Sequence, residues 1–227
     1  MRKLITLAVA LMISSICFAQ KDVTKFLGIP VDGTKSAMIQ KLKDKGYTYN
    51  SRKDCLEGEF NGQNVEIHVV TNKDKVYRIA VVDAEGSNEA SIKVRYNRLC
   101  RQFMYNDKYK SYKDSYEIPE DDDISYEMSV NNKRYEAAFY QVSYKENDSL
   151  SLMEYINNEL NKKYSKDQIE SMTEVELLNA KTTILFNYRI FVLPKKSVWF
   201  MIGREYGRYF IIIYYDNENN MANGEDL

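Results

Sequence analysis

The residues best suited to chemistry are one histidine, a few paired carboxylates and two cysteines in the body of the chain. The histidine, His68, lies in a stretch of alternating apolar and polar residues. A nucleophilic triad needs a serine or cysteine and a carboxylate assembled around the histidine, and nothing near His68 in sequence suggests such a set. A histidine-rich zinc site needs more than one histidine, and the chain has no Cys-x-x-Cys pair. We interpret His68 as a surface or cross-strand residue.

Paired carboxylates can hydrolyse glycosides without a histidine. Glu57 and Glu59 share one face of a predicted strand, and Glu66 lies near them across a hairpin at Asn61-Gly62. Glycoside hydrolases usually place their carboxylates in a deep cleft, so we favour a solvated sheet face here. The sequence therefore indicates no catalytic residues, no cofactor and no enzyme.

Two acidic segments could offer oxygen ligands to calcium. One is residues 120–123, and the other is the tail, where Asp216, Glu218 and Asn220 alternate. The tail has Met221 where an EF-hand loop needs glycine, and Leu227 where the bidentate glutamate would fall. We interpret both segments as solvated and predict no metal site.

Cys55 and Cys100 are the cysteines that follow the N-terminal segment. In an oxidising compartment they could form a disulfide, and otherwise they are two separate thiols. Cys55 leads into a predicted strand and Cys100 lies on a predicted helix, so the distance between them decides. Both alternatives stay open.

Residues 1–19 have the pattern of a cleavable export signal. Two basic residues precede an uncharged, mostly apolar stretch at 4–16, and small residues follow at Cys17 and Ala19. The stretch is too short for a membrane-spanning helix, which needs about 20 apolar residues. Lipidation at Cys17 would require a small residue in place of Ile16. We predict cleavage before Gln20 and a periplasmic or secreted protein that does not span a membrane.

The charge and length of the chain that remains after cleavage limit its possible partners. Cleavage would leave 208 residues (227 minus 19), with 30 basic side chains (32 minus 2) against 33 acidic ones. This balance argues against nucleic acid as a partner, because phosphate binding needs a basic surface. No second long apolar segment is present, so we expect a soluble chain.

The pattern of residues predicts an α+β fold in two modules, 20–110 and 120–227. In the first, Thr34 caps a helix that runs to about residue 45, and strands follow at 56–60, 65–69 and 76–82. A second helix from about residue 88 carries a helical stripe of apolar residues: Ile92, Tyr96, Leu99 and Phe103. Residues 106–123 form a solvated connection.

The second module is predicted to open with a hairpin of strands 124–130 and 135–144 around Asn131-Asn132. Helices at 149–163 and 166–179 follow, and then strands at 182–193, 198–202 and 209–215. A helix followed by a three-strand antiparallel meander thus occurs twice, at 34–82 and 166–216. We therefore hypothesise two related helix-plus-three-strand modules.

Two short segments resemble a family of secreted proteins without an assigned function that recur in Gram-negative gut bacteria. They are residues 26–33, with the helix that ends at Gly46, and the final strand with its tail at 209–227. The resemblance implies an exported protein with a helix-and-antiparallel-sheet module, and it carries no catalytic residues. The helix-and-meander pattern also looks loosely like the folds of β-lactamase-inhibitor proteins and of small outer-membrane-assembly lipoproteins.

These observations predict a non-enzymatic binding or interaction module of the cell envelope. Its sheet faces and tyrosine-rich strands would hold a protein, a peptide or a glycan. The alternative function is a carboxylate-dependent hydrolase that acts on envelope or dietary polymers.

Overall fold

The computed structural model of the chain describes residues 22–111, 113–144, 149–222 and 224. Within these residues the fold is α+β, as the sequence predicts. The predicted export signal, residues 1–19, lies outside the described residues and stays a prediction. Among the helices of the described ranges, none combines the length and apolar character needed to cross a lipid bilayer.

A two-stranded antiparallel ribbon opens the described chain, formed by β1 (Lys25–Phe26) and β2 (Ile29–Pro30). Its turn places Leu27 and Gly28 at φ angles of 50° and 81°. Phe26 is buried beneath the ribbon, so this segment packs on the main core.

One helix and four strands make up the first half of the fold. Helix α1 (Lys35–Lys43) begins after Thr34, whose hydroxyl accepts a hydrogen bond from the backbone N–H of Ala37, as predicted. Each strand that follows pairs antiparallel with the next: β3 (Thr48–Asn50), β4 (Cys55–Phe60), β5 (Gln63–Asn72) and β6 (Lys75–Asp83). The three predicted strands are β4 to β6, and β3 is additional.

The second half repeats this order with longer connections. It contains, in chain order, α2 (Glu89–Met104), β7 (Tyr109–Ser111), α3 (Ile124–Val130), β8 (Glu136–Gln141), α4 (Ser149–Lys163), α5 (Lys166–Ser171), α6 (Glu174–Asn187), β9 (Ser197–Glu205) and β10 (Arg208–Asp216). A π-helical turn (Tyr188–Val192) and a 3₁₀ turn (Leu193–Lys195) join α6 to β9.

All eight strands from β3 to β10 form one antiparallel sheet, in the order β3-β4-β5-β6-β10-β9-β8-β7. Each half runs from one edge to the centre, where β6 pairs with β10. The repeated unit is therefore a helix followed by four strands, α1 to β6 and α2 to β10. The predicted repeat at 166–216 is wrong, because one of its three strands is helical.

The core lies between one face of this sheet and helices α1 and α2. The predicted stripe on α2 is confirmed, since all four of its residues are buried. Phe200 on β9 is fully buried, and its ring lies 5.2 Å from that of Tyr96 and 5.5 Å from that of Phe103.

Residues 124–130, predicted as a strand, form helix α3 instead. The carboxylate of Asp123 accepts a hydrogen bond from the backbone N–H of Tyr126, which caps the helix. An acidic side chain at a helix start also suits the helix dipole. The sequence pattern assigns these aspartates to a solvated connection. In the structure, Asp123 at the end of that run caps the helix and marks its start.

Residues 182–193, also predicted as a strand, are helical. Their β-branched and aromatic composition favours a strand, but Thr173 and Glu176 form a capping box that starts α6 upstream. Ile184 and Tyr188, four residues apart, are both buried, so one side of this helix packs inward. The predicted helix at 166–179 is two helices, because Met172 between α5 and α6 has an extended backbone.

Candidate functional site

The sheet face opposite α1 and α2, hereafter the outer face, carries Glu66 and His68 near one edge and Trp199 and Tyr214 near the centre. Trp199 and Tyr214 are cross-strand neighbours on β9 and β10, and their rings stack 4.2 Å apart. The guanidinium of Arg78 lies 4.5 Å from the Tyr214 ring. These aromatic side chains are half-buried against one another.

Asp216 ties this aromatic cluster together. Its carboxylate accepts two hydrogen bonds from Arg78, at 2.6 and 2.8 Å, and one from the indole N–H of Trp199 at 2.9 Å. The ion pair raises the pKa of Arg78 above its usual value. Asn220, from the same tail, donates to Asp32 and to the Val76 carbonyl. These tail residues, considered as calcium ligands, thus bind protein groups.

The other acidic segment is also engaged by the protein. Lys93 donates to the backbone carbonyls of Glu120 and Asp122, and the carboxylate of Asp122 accepts from Lys133 and Tyr135. The Lys133 ammonium holds the pKa of Asp122 below its usual range. This segment therefore fixes the start of α3 against its neighbours.

The paired carboxylates lie where the Asn61-Gly62 hairpin predicts, with Glu57 directly opposite Glu66. Lys53 bridges them, with its ammonium 3.2 Å from Glu57 and 2.6 Å from Glu66. Hydrogen bonds from Asn50 and Lys53 lower the pKa of Glu57. A general acid needs a raised pKa, so Glu57 is poorly tuned for that role.

The two cysteines are both free and buried, on opposite sides of the sheet. Cys100 lies on α2 within the main core. Leu56 faces that core, so its neighbour Cys55 points to the outer face. Burial raises the pKa of both thiols, that of Cys100 to about 12. The disulfide that the sequence left open is not formed in this structure.

Cys55 instead meets His68 and Glu66. The potential metal-binding atoms of these three side chains all lie within 4.8 Å of one another. The sequence does not by itself join Cys55 to His68, because Cys55 precedes the predicted strand. The two-residue turn that pairs residue 60 with residue 63 extends the same register to residues 55 and 68.

A cleft of about 500 Å³ lies where the N-terminal segment meets the ends of β8 and β9. The buried Lys196 donates there to Asp22 at 2.7 Å and to the Ser143 hydroxyl at 2.8 Å. Burial lowers the pKa of Lys196, whereas the Asp22 carboxylate acts in the opposite direction and favours the charged ammonium. A base that activates Ser143 would have to be a neutral amine. Because the Asp22 carboxylate lies against the Lys196 ammonium, we interpret this contact as an ion pair that holds the N-terminal segment.

The helices between β8 and β9 form a separate feature, the helical insertion, residues 149–193. Helix α4 packs against α6, and the 3₁₀ turn packs against β8. At its base, the rings of Tyr144, Tyr155 and Tyr188 lie 5.0 to 5.4 Å apart. The Tyr188 hydroxyl accepts a hydrogen bond from the backbone N–H of Ser143 at 2.8 Å. The insertion is thus fixed to the sheet through a small core of its own.

Large apolar side chains on the helical insertion face solvent. More than two fifths of the surface of each is exposed: Met153, Val175, Leu178, Phe186, Ile190 and Phe191. Phe186 and Ile190 are one helical turn apart and lie on the same side of the helix, and Phe191 is the next residue in the chain. We refer to these three exposed side chains as the apolar patch. The predicted strand at 182–193 gave no indication of this surface. The helical spacing of Leu177, Ile184 and Tyr188 is the feature of the sequence that indicates a helix here.

No family model, no curated protein and no solved structure matches this chain. The site therefore has to be interpreted from its own geometry.

Proposed function

We propose that this protein is a non-enzymatic binding module of the cell envelope that docks another protein through its helical insertion. The observation that carries the proposal is the exposed apolar patch of Phe186, Ile190 and Phe191, whose exposed fractions are 60%, 52% and 59%. Single exposed apolar residues are ordinary, but a cluster of large ones usually marks an interaction surface.

The scaffold of the insertion supports this proposal. Capping boxes at Ser165 and Thr173 define the starts of α5 and α6, so the helices are well formed although one side of them is exposed. The aromatic cluster at the base holds them in place. A rigid helix that presents apolar side chains suits docking into an apolar groove, with little ordering cost on binding.

The chemistry of the patch favours a protein over a membrane surface or a glycan. Residues 149–193 carry five basic and six acidic side chains, so the insertion has no net positive charge to attract anionic lipid. The side chains of the patch itself, two phenylalanines and an isoleucine, have no hydrogen-bonding groups, which a glycan would need. We expect a partner with an apolar groove.

A photo-cross-linking experiment in intact exporting cells tests the proposal. A photoreactive residue at position 186 should capture one defined envelope protein, and the same residue at position 206 should not. Tyr206 is the matched control, because its side chain is 96% exposed on the β9–β10 turn.

The captured protein is then purified and its affinity measured. We expect the triple variant Phe186→Ser, Ile190→Ser, Phe191→Ser to lower affinity at least about tenfold. The control triple Val94→Ser, Tyr105→Ser, Tyr206→Ser, which removes exposed apolar groups elsewhere, should bind normally. Equal affinity of both triples would overturn the proposal. The proposal would also be overturned if the wild type bound lipid vesicles and only the insertion triple abolished that binding, which would indicate a membrane. Self-association in sedimentation that only the insertion triple abolished would indicate a second copy of the chain instead.

A further inference from the structure

A second group of chemistry-bearing side chains lies on the outer face at β4 and β5. Cys55 contributes a thiol, His68 an imidazole and Glu66 a carboxylate, with their potential ligand atoms within 4.8 Å of one another. The group uses none of the residues of the helical insertion, so a test of this group is independent of a test of the proposed function.

The backbone dictates this meeting. The tight hairpin at Asn61-Gly62, where both residues have positive φ, pairs β4 with β5 in a fixed register. Leu56 and Ile67 are directly opposite each other and face the core, so the next pair, Cys55 and His68, shares the outer face. Alternation along β5 places Glu66 on that same face.

Glu66 is already oriented toward this position. One oxygen, Oε1, accepts a hydrogen bond from Lys53 at 2.6 Å, and the other, Oε2, lies 3.8 Å from Nε2 of His68. Lys53 therefore occupies one side of the carboxylate and leaves the other side turned toward the imidazole. A hydrogen bond of this kind to a ligating carboxylate is a common support in metal sites.

The donor set matches zinc. Zn²⁺ binds thiolate, imidazole and carboxylate at about 2.0 to 2.3 Å, so tetrahedral ligand atoms are roughly 3.3 to 3.8 Å apart. The separations here, at most 4.8 Å, exceed that range by no more than about 1.0 to 1.5 Å, a difference that side-chain rotations can supply. The mixed sulfur, nitrogen and oxygen set suits Zn²⁺ better than Ca²⁺ or Mg²⁺, which prefer oxygen ligands alone.

We propose that Cys55, Glu66 and His68 form a binding site for Zn²⁺ or a similar divalent transition metal. Cys55 binds as the thiolate and its proton passes to solvent. Three protein ligands leave a fourth position for water, and the side chains of His68 and Glu66 are 38% and 26% exposed, so solvent reaches the site. The metal would join β4 to β5 near the β3 edge of the sheet.

Cobalt and zinc titrations test the site. The reference protein carries Cys17→Ser, which leaves Cys55 and Cys100 as its two cysteines. We expect one equivalent of Co²⁺ to produce a thiolate-to-metal charge-transfer band in the near ultraviolet, and Zn²⁺ to displace it. Cys55→Ser should abolish the band and weaken Zn²⁺ binding at least about tenfold.

Matched variants separate the site from unspecific binding. Cys100→Ser, which changes the other buried thiol, should keep the band, whereas His68→Gln and Glu66→Gln should weaken Zn²⁺ binding at least about tenfold. Circular dichroism without metal checks that each variant is folded. The proposal fails if the folded reference protein gives no band, if the band survives in Cys55→Ser, or if His68→Gln binds Zn²⁺ like the reference.

Discussion

The two halves of the sheet share one plan but differ in how their strands are connected. In the first half, β4, β5 and β6 follow one another through tight turns at Asn61-Gly62 and Lys73-Asp74, all with positive φ. In the second half, α3 separates β7 from β8, and the helical insertion separates β8 from β9.

Because of this difference, the sheet and its core act as the scaffold, and the helical insertion provides the exposed binding surface. In the second half, the insertion exposes Phe186, Ile190 and Phe191, whereas β4 to β6 of the first half bury their large apolar side chains in the shared core. The common plan builds the sheet, and a long connection on that plan can acquire a binding surface without changing the core. If scaffold and surface are energetically distinct, substitutions in the core should cost far more stability than substitutions on the exposed patch.

The largest effect is expected for a phenylalanine in the shared core. Phe200→Ala removes a fully buried ring that contacts three aromatic neighbours and should lower the free energy of unfolding by about 3–5 kcal/mol. Phe186→Ala, on the exposed patch, should change it by less than about 0.5 kcal/mol. Urea denaturation followed by Trp199 fluorescence measures both. Similar losses for the two variants would show that the patch is packed rather than exposed.

An ion pair that joins the halves should have an effect of similar size. Asp83, at the end of β6, accepts hydrogen bonds from Arg95 on α2 and from the backbone N–H of Ile211 on β10. Asp83→Ala leaves a buried guanidinium unpaired and should cost about 3–5 kcal/mol. Glu117→Ala, which removes the exposed partner of Arg101, should cost less than about 1 kcal/mol. A loss below about 1 kcal/mol for Asp83→Ala would mean that the halves are joined mainly by other contacts.

Raising the pH should weaken the base of the insertion. Burial raises the pKa of Tyr188 to about 12, so folding favours the neutral phenol. Its contribution, on the order of 2 kcal/mol, is complete below the ordinary tyrosine pKa of about 10 and is lost as the pH rises toward 12.

Circular dichroism across this pH range, with Trp199 fluorescence recorded alongside, should therefore show loss of helix. Tyr188→Phe, which has no ionisable hydroxyl, should retain its helix signal to higher pH than the wild type. Simultaneous loss of both signals in the wild type would indicate that the insertion and the sheet unfold as one unit.

The smallest effect is expected at the tight turns, where the halves should behave alike. Gly62 has a φ of 72° and Gly207, in the β9–β10 turn, a φ of 75°. Alanine at either position is strained in this left-handed region and should cost about 1–2 kcal/mol. Thermal unfolding of Gly62→Ala and Gly207→Ala measures both costs. Unequal values would show that the two hairpins are not equivalent supports.

Local signals predicted the first half better than the second. The Thr34 cap, the Asn61-Gly62 turn and the alternation along β5 act over a few residues, and each gave the observed element. In the second half, residues 182–193 have strand-forming composition but follow a capping box at Thr173, and the helix continues through them. Intrinsic strand preference is weak, so upstream helix initiation and packing of Ile184 and Tyr188 decide the outcome.

The features of the candidate sites also divide into those set by local sequence and those set by tertiary contacts. The sequence by itself determined the hairpin at Asn61-Gly62 and the alternation along β5, because a two-residue turn fixes the register of its strands. It also determined the buried stripe of α2, because helical spacing defines a face. Only the tertiary structure decided that β6 pairs with β10, that Cys55 and Cys100 lie on opposite sides of the sheet, and that Phe186, Ile190 and Phe191 are exposed. These features depend on contacts between residues far apart in the chain, where many pairings satisfy the same local pattern and packing selects one of them.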